Sequence, residues 1–161
     1  MSRYLTKLEL KNLKLKYIGK NCKISNLVSF VGKKNISILD GTRIDDFTIL
    51  VAHKGYIKIG KNTHIGGLSY IQGWKGVEIG SECNISQGVK IYSKSDNYIK
   101  KKNIQILKKV IISNRVIIGS NAVILPGSKI EKDSRIGALS VVNHKITKQH
   151  LFARNKIIKI Y

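Results

Sequence analysis

Four histidines (His53, His64, His144 and His150) and one aspartate in an irregular stretch, Asp96, are the residues best suited to move a proton. An imidazole titrates near neutral pH and is the usual general base for a hydroxyl nucleophile. His64 immediately precedes Ile65, a member of a regular apolar series, so by alternation its ring points outward. His53, His144 and His150 fall at corners of that series or in the C-terminal tail and read as structural or exposed. Asp96 reads either as a turn former or as a carboxylate that orients a histidine or binds an acceptor. Cys22 and Cys83 are too few for a disulfide framework and are not spaced as a metal knuckle. No metal is expected, since a catalytic zinc needs about three converging ligands and only His64 lies in the regular series.

The elements that must position these groups follow from a period of six. Apolar residues recur from Ile18, Ile24 and Phe30 through Ile79, Ile85 and Ile91, and again from Ile112, Ile118 and Ile124 to Val142. Two residues earlier stands a small residue, as at Cys22, Thr42, Thr63, Cys83, Ala122 and Ser140, and Gly often follows, as at Gly60 and Gly119. Six fits neither a helix of period 3.6 nor an alternating strand. It fits a triangular coil of about 18 residues whose large aliphatic side chains fill the prism, with the small residues inward near the corners. Gly, Asn and Asp are expected to supply the positive φ angles of the turns. The chain is therefore expected to be all-β, one domain over 1–161. Regular coils run over about 18–92 and 110–144, with a loop over 93–109 and a tail over 145–161.

The 161 residues carry a net charge of +21, which attracts polyanions. The lysines are scattered rather than clustered, and no stacking platform for single strands is evident, so no specific nucleic-acid partner is expected. The basic surface leaves room for peripheral association with a membrane. No apolar run is long enough to span one, and the N-terminus lacks a signal-like stretch, so the expected location is the cytoplasm. Trp74, the single tryptophan, sits at a corner and reads as a sugar-stacking residue or a subunit contact.

The repeated hexapeptides resemble those of the hexapeptide-repeat acyltransferase superfamily from about Ile18 to Val142. The runs Ile118 to Ile130 and Ile136 to Val142 are similar to its late coils. The resemblance implies a left-handed parallel β-helix, a homotrimer with sites between subunits, and acetyl-CoA as acyl donor. It places Gly119, Ala122 and Ser140 beside the coenzyme, and the basic tail offers Lys145 and Arg154 as partners for its phosphates. Sugar acetyltransferases of the superfamily carry a catalytic His in the loop. Here Ser95-Asp96-Asn97-Tyr98 stands there instead, similar to a branch of polysaccharide O-acetyltransferases. The expected activity is direct acetyl transfer to a sugar hydroxyl, with His64 as base and Asp96 assisting. An amino-sugar acceptor, which tolerates a weaker base, and a non-catalytic binding or scaffold role are the alternatives.

Overall fold

Isoleucines six apart line the inside of a left-handed β-solenoid of about six turns. The computed structural model describes residues 1–96, 104–153 and 156–159. Three parallel sheets form its faces. The first carries seven strands, from Tyr17–Ile18 through Val77–Ile79 to Lys145–Ile146. The second runs from Lys23–Ile24 through His64–Ile65 and Asn84–Ile85 to His150–Ala153, and the third from Ser29–Val31 through Lys90–Tyr92 to Val141–Val142. Each strand pairs in register with its copy one coil away, as Ile59 with Ile79 and Ile79 with Ile112. The in-register stacks bury Ile24, Ile44, Ile65, Ile85, Ile118 and Ile136 in one column. Full burial of each such side chain contributes about 1.5–3 kcal/mol. Only the first coil is looser, with Ile18 and Phe30 half-buried.

The small inward residues are buried, Cys22, Thr42, Thr63, Cys83 and Ser128 among them. Their hydroxyls satisfy corner carbonyls that the ladders miss: Thr63 Oγ1 donates to Gly80 O at 2.7 Å, and Ser128 Oγ to Val142 O at 2.9 Å. Gly119 follows from the same close stacking, because a Cβ there would lie 2.5 Å from Ala138 N of the next coil.

Four features differ from expectation. A short helix, Lys7–Asn12, precedes the first coil and is closed by a capping box between Thr6 and Glu9. Its buried Leu10 joins the core, covering an end that the repeat leaves open. The coils run past residue 144: Lys145–Ile146 and His150–Ala153 extend two faces, and Lys156–Lys159 folds back antiparallel. Within the expected loop, Lys94–Asp96 and Gln105–Leu107 pair as an antiparallel hairpin that leaves the corner between the third and first faces. Finally, positive φ is not confined to Gly, Asn and Asp. Phe47, Leu68 and Leu139 adopt it at φ 59°, 60° and 60° on the corner between the second and third faces. The stacking imposes it: the backbone N–H of Leu68 donates to Asp46 O below, and that of Leu139 to Ser120 O. This conformation costs a side chain about 1–2 kcal/mol, which the coil contacts offset.

Outward positions differ by face. The first two present Lys58, Lys129, Lys23, Arg43 and Arg135. The third presents Val31, Ile49 and Val141, all substantially exposed, and a Tyr70–Tyr92 pair with centroids 5.6 Å apart. No helix among the described residues is long and apolar enough to cross a membrane.

Candidate functional site

Alternation places His64 on the outside of the second face, in register between Arg43 and Asn84. Its Nε2 lies 2.7 Å from Asp45 Oδ2 and its Nδ1 3.0 Å from Asn84 Oδ1. Arg43 in turn binds Asp45 through Nε and Nη2, both at 2.9 Å. Partial burial pushes the Asp45 carboxyl up, but the hydrogen bonds from Arg43 and then His64 outweigh it and hold the group below its ordinary value. Asp45 is therefore a carboxylate at neutral pH, and it accepts the Nε2–H of His64. Both ring nitrogens are engaged within the chain, and the ring is 31% exposed.

Asp96 ends the first hairpin strand, exposed, opposite Gln105. It stands at the corner between the third and first faces, away from the middle of the second, so a single chain does not bring it to His64. What the corner does assemble is an aromatic-basic group. Lys94 Nζ lies 4.1 Å and Lys54 Nζ 5.2 Å from the Trp74 ring centroid, and the His53 ring is 6.5 Å from it. Gly76, at φ +118°, lets the chain turn beneath the half-buried indole; a Cβ there would meet the Tyr56 ring.

The residues expected beside the coenzyme separate into three kinds. Gly119 lies at an outer corner. Ala122 and Ser140 are buried in the inward slot, so neither offers a side chain to a ligand outside the coil. Lys145 is outward and exposed and pairs with Glu131 at 2.8 Å. Arg154 lies outside the described residues. Burial pushes both Cys22 and Cys83 thiols up, which keeps them protonated and leaves neither as a ready thiolate nucleophile. Among the described residues no group of three or more His, Cys, Asp or Glu is placed to hold a metal.

Arg43, Asp45 and Asn84 were not singled out in the sequence. Their signal was available: residues one coil apart in register, such as 43, 64 and 84, must stack on one face.

The bacterial transferase hexapeptide (six repeats) family matches residues 105–144, and the hexapeptide repeat of succinyl-transferase matches residues 56–93. The two repeat matches, together with the parallel solenoid, support the hexapeptide-repeat acyltransferase superfamily. It is 43% identical over 95 residues to a dTDP-4-amino-4,6-dideoxy-D-glucose acyltransferase of Escherichia coli, a stretch that is 59% of this chain. The chain spans only about half the length of that relative, 50%. Among solved structures it resembles AntD, an N-acyltransferase from Bacillus cereus in complex with dTDP and 3-hydroxybutyryl-CoA. The TM-score is 0.90 at 29% identity, covering 99% of this chain and 89% of that one. It also resembles the polySia specific acetyltransferase NeuO, with a TM-score of 0.60 at 27% identity, over 88% and 73% of the two chains.

Proposed function

We propose that the chain is an acyl-CoA-dependent N-acyltransferase that acts on the amino group of a nucleotide-linked amino sugar. The observation that carries this reading is the match over nearly the whole chain to AntD. That enzyme was also solved with dTDP-4-amino-4,6-dideoxyglucose and coenzyme A, and there the TM-score is 0.88 over 99% of this chain. The chemistry of the corner favours the amine over the hydroxyl first expected. An unprotonated amine carries its own lone pair and attacks a thioester without a strong base. The N–C bond forms, the C–S bond breaks, and the amine proton goes to the departing sulfur. Segment 93–109 holds no histidine, and His64 has both ring nitrogens occupied.

In this reading Asp96 accepts a hydrogen bond from the sugar amine. Variants of AntD replace a serine and an aspartate ten positions after it. Ser86 and Asp96 form the sole serine–aspartate pair with that spacing here. Ser86 follows the second face while Asp96 leaves the opposite corner, so they meet only across a boundary between subunits. The apolar third face supports a homotrimer that supplies such boundaries. Acyl-CoA runs along the later coils past Gly119 and Lys145, with Arg154 and Lys145 pairing its phosphates. Acyl-CoA is an intracellular metabolite, which supports a cytoplasmic location.

The test is thiol release from acetyl-CoA with dTDP-4-amino-4,6-dideoxyglucose, beside the same nucleotide sugar bearing a 4-hydroxyl. Turnover with the amine alone is expected, and the product should gain one acyl group on nitrogen by mass spectrometry. Turnover confined to the hydroxyl sugar would overturn the reading.

A further inference from the structure

We infer that Trp74, Lys54 and Lys94 form the seat for the nucleoside diphosphate half of the acceptor, a deepening that rests on the nucleotide-sugar reading above. A solenoid corner needs no tryptophan: other turns on this edge are made by Gly32–Asn35 or by Pro126 and Gly127. Here the single indole of the chain is half-buried, with two ammonium groups against its ring. Among the described residues neither lysine pairs with a carboxylate, and a lysine against a ring quadrupole exchanges readily to a phosphate, which pairs with it fully. An aromatic face freed in this way accepts a base of any sequence, because every base has a π-face.

The order of groups along the solenoid fits the order of groups in the ligand. Lys54, Trp74 and Lys94 occupy three successive coils, each about 4.8 Å from the next. Lys94 and Asp96 are alternate residues of one extended strand, so they face the same side about 7 Å apart. In a nucleotide-linked 4-amino sugar the amine stands across the pyranose ring from the carbon that bears the phosphate. A phosphate at Lys94 thus sets the amine at Asp96, toward the later coils. The side-chain oxygen of Gln72, two residues before Trp74, is buried with no hydrogen-bond partner among the described residues.

Because Trp74 is the sole tryptophan, its fluorescence reports the seat directly. Titration of the wild-type protein with dTDP is expected to change Trp74 emission saturably, and thymidine should bind far more weakly. Lys54→Ala should weaken dTDP binding about tenfold and leave thymidine binding unchanged. Trp74→Ala should raise KM for the nucleotide sugar about tenfold with KM for acetyl-CoA unchanged, while Trp74→Phe stays within about threefold of wild type. No emission change with dTDP in an enzyme that turns over the nucleotide sugar would overturn this seat and leave the reaction standing. A response to coenzyme A but not to dTDP would overturn it too, and would give the indole to the donor. A response to dTDP without any turnover would support the seat while removing the proposed reaction.

Discussion

His64 can serve as a general base only if one ring nitrogen has a free lone pair facing the acceptor. Its Nε2 donates to Asp45 and its Nδ1 faces Asn84 Oδ1, so the ring ties together three successive coils of the second face. Asp96 has no such commitment to His64 and stands on the hairpin. His64→Ala is therefore expected to keep kcat/KM within about threefold and to lower stability by about 1 kcal/mol, a reduced figure because the pair is partly exposed. Asp96→Asn is expected to lower kcat/KM about 10²-fold with little change in melting temperature. Steady-state kinetics beside thermal unfolding separate the two. A hundredfold loss in His64→Ala with unchanged stability would return the role of base to the imidazole.

At the scale of the element, the coil and the hairpin divide stability from function. Ile85 is wholly buried in its column, between Ile65 and Ile118. Ile85→Ala leaves a cavity that the rigid stack cannot close, and about 2–5 kcal/mol should be lost in denaturant unfolding. The hairpin contributes an exposed edge, with Leu107 and Lys108 open to solvent. Replacing residues 100–107 by a short glycine linker is expected to cost less than about 1 kcal/mol yet to remove most activity. Equal losses of stability from both changes would contradict this division. The corners carry the complementary lesson. A sequence rule gives positive φ to Gly and Asn, but the stacked N–H and C=O groups of neighbouring coils demand it of Phe47, Leu68 and Leu139 as well. Tertiary contacts there override local preference.

At the scale of the whole molecule, one face does not suit a monomer. Phe47, Leu68 and Leu139 line one edge of the third face, and Val31, Ile49 and Val141 lie on it with a single lysine, Lys90, between Tyr70 and Val123, while the other two faces carry more of the lysines and arginines. Exposed apolar side chains gathered on one face in this way are buried by association. Sedimentation is expected to show a trimer at micromolar concentration, and Ile49→Lys with Leu68→Lys should dissociate it with loss of activity. A wild-type monomer that acylates its acceptor would rule out a site shared between subunits. The charge of +21 is spread over all three faces and the corners, with more of it on the first two faces. Such a charge attracts polyanions.

The sequence by itself determined the solenoid. A repeat of six with one register leaves a single way to bury Ile24, Ile44, Ile65 and Ile85 together, and the inward places of Cys22 and Cys83 follow from the same register. It also marked an excursion over 93–109, because a break in a strict period is as legible as the period, but it gave that excursion as a loop and not as the antiparallel hairpin of Lys94–Asp96 and Gln105–Leu107. The capping helix was not legible, being too short for a periodic signal, nor was the extra coil beyond residue 144, where Ile146 and Phe152 continue a pattern blurred by polar residues. The site was legible only in parts. His64, Asp96 and Trp74 stood out by type, but type says nothing of distance. That His64 is bound to Asp45, that Trp74 gathers Lys54 and Lys94, and that Asp96 stands apart from His64 depend on which corner each coil presents. Only the stacking of residues about twenty apart in sequence decides that, because hydrogen bonds and ring contacts form through space and leave no period along the chain.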